Sequence, residues 1–163
     1  MLIGVVSDTH NNTKNIEEVI RLFNKKHVDL VIHTGDIACS SALKRFSKLN
    51  CDLVGVYGNN DREELGLKEV VKKYNFRFEE PPLPIIVSEK KIVIFHEPDS
   101  INQYLLENIN IDLILHGHTH RFRHEDRKGT VIFNPGESAG MMKGKNAIGI
   151  VNLENLMIER IFF

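Results

Sequence analysis

The chain opens on an apolar run, Leu2 to Val6, that stops at Ser7-Asp8. Over residues 13–26 apolar side chains then recur at Ile16, Val19, Ile20 and Phe23. This i, i+3, i+4, i+7 spacing predicts an amphipathic helix, with Asn12 or Thr13 as its cap. Leu30 to His33 predicts a second strand ending at Gly35-Asp36. A second helix, opened by Ser40 or Ser41, carries Leu43, Phe46 and Leu49, and a third strand, Leu53 to Tyr57, ends at Gly58-Asn59. A third helix presents Leu67, Val70, Val71 and Tyr74 on one face. Strand, helix, strand, helix, strand implies βαβ crossovers and a parallel sheet.

Pro81-Pro82-Leu83-Pro84 interrupts this alternation, and beyond it the chain is richer in strands. Ile85 to Ser88 and Lys91 to Phe95 flank a hairpin turn at Glu89-Lys90; residues 101–109 read as a helix and Asp112 to Leu115 as a buried strand. Arg121 to Asp126 and Thr130 to Phe133 flank a turn at Lys128-Gly129, and Ala147 to Leu153 and Leu156 to Phe162 flank another at Glu154-Asn155. The second half is thus expected to be mostly antiparallel. The proline-rich break reads as a connection inside one domain.

Composition narrows the class. A chain of 163 residues, 42% hydrophobic and 26% charged, has the make-up of one globular domain, and a chain of that length buries about 70% of its unfolded surface. Cys39 and Cys51 form no C-x-x-C pair and are too few for a secreted disulfide framework, so they read as free thiols of the cytoplasm. No apolar run approaches the ~18 residues of a membrane span, and the amino end carries no basic leader, which disfavours insertion and export. With 21 basic and 22 acidic side chains the net charge is -1. Overall attraction to nucleic acid or anionic lipid is absent, and an anionic substrate must be held by something local.

The unusual residue is histidine: of eight, five (His96, His116, His118, His120, His124) fall within 29 positions. Histidine clusters point to metal or proton chemistry. Ligand-type residues also recur where the apolar runs stop: Asp8 and His10, Asp36, Asn59, His96, His118 and His120. In open parallel sheets the carboxyl ends of the strands face the ligand crevice, so these positions can converge in space. Seven of them suggest two metal sites, and the mixture of carboxylate, imidazole and amide favours manganese, iron, cobalt, nickel or zinc over magnesium or calcium.

D-x-H at Asp8 to His10, G-D at Gly35-Asp36, G-N-N-D at Gly58 to Asp61, His96 and G-H-T-H at Gly117 to His120 occur in that order. This set resembles the calcineurin-like metallophosphoesterase superfamily, and the small size with N-P-G at Asn134 to Gly136 is similar to its compact bacterial and archaeal phosphodiesterases. The resemblance, which runs from Ser7 to about Gly140, implies an α/β fold, a four-layer αββα sandwich of two stacked mixed β-sheets flanked by helices, and the chain is read as one such domain over residues 1–163. It gives one metal to Asp8, His10 and His120 and the other to Asn59, His96 and His118, with Asp36 bridging. The cofactors implied are two divalent transition metal ions, manganese or nickel first, then zinc, iron or cobalt. They would lower the pKa of a bridging water and stabilise charge in an in-line displacement, so that a metal-bound hydroxide hydrolyses a small phosphodiester. Asp36 and Asn60 are the expected catalytic residues, and Asn59 and Asn60 the expected substrate contacts.

Two departures from the family pattern matter. Asn60 stands where many members carry a histidine that assists the leaving group, and an amide cannot serve as a general acid near neutral pH. His96-Glu97-Pro98 stands where H-G-H is common. Both departures keep an alternative open: a non-catalytic or weakly catalytic metal-binding scaffold on the same fold, as in the metallophosphoesterase-like subunit of retromer. The intact ligand set argues against it. A nuclease would need a polyanion track, and Glu125 and Asp126 interrupt the basic stretch from Arg121 to Lys128, so a solvated hairpin is preferred there. His116 and His33 read as buried or supporting histidines, His27 and His124 as solvated, and Cys39 as a small buried filler. Ile161-Phe162-Phe163 packs either in the core or against another subunit of a homo-oligomer.

Overall fold

The computed structural model describes residues 1–62 and 64–163. Among them, strands β1 (Leu2–Val6), β2 (Leu30–His33), β3 (Asp52–Val56) and β4 (Arg77–Glu79) lie side by side and parallel. Strands β10 (Ala147–Asn152) and β11 (Met157–Phe162) extend that sheet antiparallel from the free edge of β1. A second sheet is built from β5 (Leu83–Val87), β6 (Lys90–Ile94), β7 (Leu113–Leu115), β8 (Arg123–Arg127) and β9 (Thr130–Asn134), in the order β5-β6-β7-β9-β8. Helices α1 (Thr13–Lys26), α2 (Ser40–Arg45) and α3 (Leu67–Lys73) cover the first sheet, and α4 (Ile101–Glu107) covers the second.

Period-two alternation sorts the apolar residues into three layers. Ile3 and Val5 of β1, Leu30 and Ile32 of β2, Ile92 and Ile94 of β6 and Leu113 and Leu115 of β7 fill the space between the sheets. Their neighbours Val6 and Val31 turn the other way, onto Ile16, Val19, Ile20 and Phe23 of α1. Val93 and Ile114 face outward onto Ile101 of α4. This is the four-layer α/β sandwich, with two mixed sheets, that the motif resemblance implies. The sheets come together closely where Phe133 of β9 lies against Gly149 of β10, because a Cβ there would overlap the ring.

Several elements differ from the pattern-based expectation. Helix α2 stops at Arg45, Phe46–Lys48 tightens into a 3-10 turn, and Cys39 precedes the helix with no side-chain cap. The short strand β4 has only Phe78 buried and gives too little alternation to be read. Strand β5 begins at Leu83 and includes Pro84, which an edge strand tolerates. Its hairpin turns at Ser88-Glu89, both at positive φ, one residue before the expected pair. The second half is only partly antiparallel, since β6, β7 and β9 run parallel through the centre of their sheet. Ile161 and Phe163 pack on the helix-side core, while Phe162 is 56% exposed. Cys39 and Cys51 are free thiols, each half-buried. Among the described residues no helix is long and apolar enough to cross a membrane.

The parallel strands decide where chemistry can collect. β1, β2 and β3 in one sheet and β6, β7 and β9 in the other each deliver a loop at their carboxyl ends, and these loops meet along one rim.

Candidate metal centre

The backbone turns sharply as it leaves these strands. Asp8 and His10 after β1, Asp36 after β2, and His118 and His120 after β7 all sit at positive φ, between 45° and 66°. For residues with a Cβ this conformation costs roughly 1–2 kcal/mol each, and such strain persists where surrounding structure over-determines it. The fixing contacts are visible. Asp8 N–H donates to the Gly35 carbonyl at 3.1 Å and His10 N–H to that of Asp36 at 2.8 Å. The buried Asp61 carboxylate accepts the N–H groups of Asp36, Ile37, Ala38 and Gly58 at 2.7–2.8 Å, tying the loop after β2 to the loop after β3. Gly58 and Gly117 allow close approach: a Cβ on either would overlap Asp36 or Ser7.

Within this frame the predicted residues converge. Asp8 Oδ1 lies 3.5 Å from His120 Nε2, and its carboxylate accepts the His118 N–H at 3.1 Å and the Ser7 hydroxyl at 2.5 Å. The two oxygens of Asp36 face different histidines: Oδ1 is 3.4 Å from His96 Nε2, and Oδ2 is 4.0 Å from His10 Nε2. Asn59 Oδ1 stands 3.0 Å from both His96 Nε2 and His118 Nδ1. The imidazoles thus form two pairs, His10 with His120 at 5.4 Å between ring centroids and His96 with His118 at 5.1 Å. Ligand atoms of Asp8, His10 and His120, and of Asp8, Asp36 and His96, lie within 4.8 Å of one another. Asn60 donates to Asp36 through its backbone N–H at 3.0 Å and its side-chain amide at 2.7 Å.

The electrostatics favour a cation among these atoms. Burial raises Asp8 above the usual carboxylate range, against a hydrogen bond from Ser7 and the pull of His96 and His120, and the nearby Asp36 charge adds to the rise. Burial also works against the Asp36 charge, but hydrogen bonds from His96 and Asn60 outweigh it and hold its carboxyl below that range. Burial disfavours protonated His96 too, yet its contact with Asp36 raises it. His96 Nδ1 donates to the Thr34 carbonyl at 2.8 Å, which orients the ring and aims Nε2 inward. His10 Nε2 is buried without a hydrogen-bond partner among the described residues. A divalent ion would use that nitrogen and stabilise both buried carboxylates, so the residues present fit one.

The remaining histidines divide by environment. His33 is buried, accepts the Gly35 N–H at Nδ1 (3.1 Å) and lies 3.0 Å from the Thr9 hydroxyl through Nε2. Burial and the neighbouring His96 push it down to about 3, against the pull of Asp36. His116 is buried beside Gly117, and burial lowers it to about 4. Neither belongs to the groups whose ligand atoms converge, while His27 and His124 are exposed. Sequence reasoning assigned no supporting role to Asp61 or Ser7, and the structure adds a contact for Asn134, whose amide donates to the Gly117 carbonyl at 3.0 Å. Asp61 closes the G-N-N-D block and Asn134 opens N-P-G, so the blocks carried the signal without the role.

Comparison with known proteins bears on the family and the fold. The family model for the calcineurin-like phosphoesterase superfamily domain matches residues 1–156. A phosphodiesterase of Methanocaldococcus jannaschii is 34% identical over 156 residues, covering 94% of each chain. Among solved structures, an archaeal phosphodiesterase superposes with a TM-score of 0.90 at 33% identity, covering 100% of both chains. Vps29 of Entamoeba histolytica has a TM-score of 0.70 at 18% identity, covering 100% of this chain and 99% of its own, a likeness of fold alone.

Two outcomes follow for the metal-free protein. His33 and His116 stay neutral in the folded chain down to about 3 and 4, whereas the unfolded chain protonates its histidines near pH 6.5. The unfolded state therefore binds more protons at these positions as pH falls from 6.5, and stability drops by up to about 1.4 kcal/mol per pH unit for each. Urea unfolding between pH 6.5 and 4.5 should show a shallower decline in His116→Gln than in the parent; equal slopes would contradict this reading. Asp61→Asn replaces two acceptor oxygens by one and points an NH2 group at backbone donors. It should weaken manganese binding by about 10–100-fold, as loss of ligand-orienting partners does. Calorimetric titration showing unchanged affinity would remove Asp61 from its supporting role.

Proposed function

The chain belongs to the calcineurin-like phosphoesterase superfamily, and from that premise we propose that it is a phosphodiesterase whose rim of strand ends holds two divalent transition metal ions. Asp8, His10 and His120 would hold one and Asn59, His96 and His118 the other, with Asp36 shared. The observation that carries this reading is the split of the Asp36 carboxylate, one oxygen toward His96 and the other toward His10. The phosphodiesterase of Methanocaldococcus jannaschii, matched nearly end to end, supports a diester as substrate. The mixed oxygen and nitrogen donor set suits manganese or nickel first, with zinc, iron or cobalt as alternatives. The free thiols Cys39 and Cys51 suit the cytoplasm.

When bound, the ions supply a water acidified toward neutrality and positive charge for the phosphoryl oxygens. The chain does the positioning. Asp61 and Asn60 hold Asp36 from the loop after β3, through its backbone N–H and its carboxylate respectively. Ser7 and the His118 N–H orient Asp8, and the Thr34 carbonyl orients His96. Asn60 is exposed at the rim, and we assign its amide a contact to a phosphoryl oxygen. It has no proton to deliver near neutral pH, so esters with good leaving groups should turn over fastest.

The test is hydrolysis of an activated aryl phosphodiester and of the matching monoester by metal-stripped protein, with single metals added back. Manganese or nickel should restore diester turnover well above monoester turnover. Asp36→Asn should lower kcat by more than about a hundredfold, beyond what loss of a merely orienting residue costs, with an unchanged far-ultraviolet circular dichroism spectrum. Full activity of Asp36→Asn with both ions bound would overturn the assignment of Asp36. Ions bound to the parent protein without turnover of any diester would favour a scaffold on the same fold.

A further inference from the structure

Among the loops that follow β3, β4 and β6 lies a cleft of about 180 Å³ lined by Arg62, Pro81, Pro82, Phe95, Glu97 and Ser100. Its walls belong to the same rim: Glu97 directly follows His96, Arg62 stands two residues beyond Asn60, and the two prolines follow β4. The polar groups are largely unspent. Among the described residues the half-buried Glu97 carboxylate and the Ser100 hydroxyl make no side-chain hydrogen bond or ion pair, and Arg62 reaches only Glu80, at 4.0 Å. These residues include Glu97 of the Glu97-Pro98 departure from the family pattern, for which the metal centre gives no role.

We propose that this cleft binds a hydroxyl-bearing arm of the phosphodiester, a sugar or polyol, and so sets which diester the enzyme prefers. This rests on the phosphodiesterase reading above. Glu97 accepts hydrogen bonds from adjacent hydroxyls, as carboxylates do from ribose. Ser100 and Arg62 donate to the remaining oxygens, and the Pro81-Pro82 wall packs against the carbon face. Opposite charges on the two sides select a neutral arm: a cationic arm would meet Arg62 and an anionic one Glu97. The volume is smaller than a typical drug-sized site, which suits one such group.

The experiment compares three diesters that share a nitrophenolate leaving group: nitrophenyl esters of a nucleoside monophosphate, of glycerol phosphate and of methyl phosphate. With the metal-loaded parent protein, kcat/KM for at least one hydroxylated ester should exceed that for the methyl ester by about tenfold, the value of a good hydrogen bond to a charged group. Glu97→Ala should bring that ratio close to one, chiefly through KM, and Glu97→Gln should keep part of it. Preference for the nucleoside ester would identify a ribose, and preference for the glycerol ester a polyol. Calorimetric binding of glycerol phosphate against methyl phosphate gives the same ratio without turnover. Brisk hydrolysis of all three esters at similar kcat/KM would overturn the cleft's role and leave the phosphodiesterase reading intact. Failure to hydrolyse any of them with any metal would instead remove that reading, and an affinity ratio near one would then remove the cleft's role as well.

Discussion

The carboxylate of Asp61 accepts four backbone N–H groups, three from the loop after β2 and one from the loop after β3. Much of the centre depends on that clamp. It satisfies donors that would otherwise be buried unpaired, and it holds Asp36 in a left-handed backbone conformation that a residue with a Cβ rarely adopts. Asp36 in turn sets the spacing between His10 and His96, and through His96 the position of Asn59. A shift of this loop would move both halves of the site together.

The clamp works because two sheets bring their strand ends to the same rim. Tight packing at Phe133 and Gly149 sets how closely the sheets approach. The loop after β7 then reaches across to β1, where the His118 N–H meets Asp8 and the Asn134 amide braces the Gly117 carbonyl. The apolar layer between the sheets thus does more than stabilise. It delivers ligand-type residues more than a hundred positions apart in sequence to within a few ångströms, and it buries Asp8 so that its carboxyl is raised above the usual range.

Much of this was legible in the chain. Helix α1 follows from the periodic spacing of its buried face, and strands β1, β2 and β3 from short apolar runs, largely buried on both faces, that end at turn residues. The site was legible because ligand-type residues stood just past the ends of β1, β2, β3, β6 and β7. Local pattern could not show tertiary pairing: β4 is three residues long with one buried, and the parallel pairing at the centre of the second sheet depends on contacts remote in sequence. Supporting roles were hidden for the same reason. Asp61 looks like an ordinary turn aspartate until the loop it binds is placed beside it, and Asn134 looks like a turn until Gly117 is. Glu97-Pro98 read as a weakening of the family pattern, whereas Glu97 lines a cleft together with Arg62 and the Pro81-Pro82 pair.

The central claim is that these seven residues hold two ions with Asp36 between them. The most direct measurement is the anomalous scattering of crystals grown with manganese, collected at wavelengths on either side of its absorption edge. On that claim, two peaks per chain are expected, one among Asp8, His10 and His120 and the other among Asn59, His96 and His118, each within coordination distance of an Asp36 oxygen. A single peak, or a peak bound through His33 or His116, would contradict it.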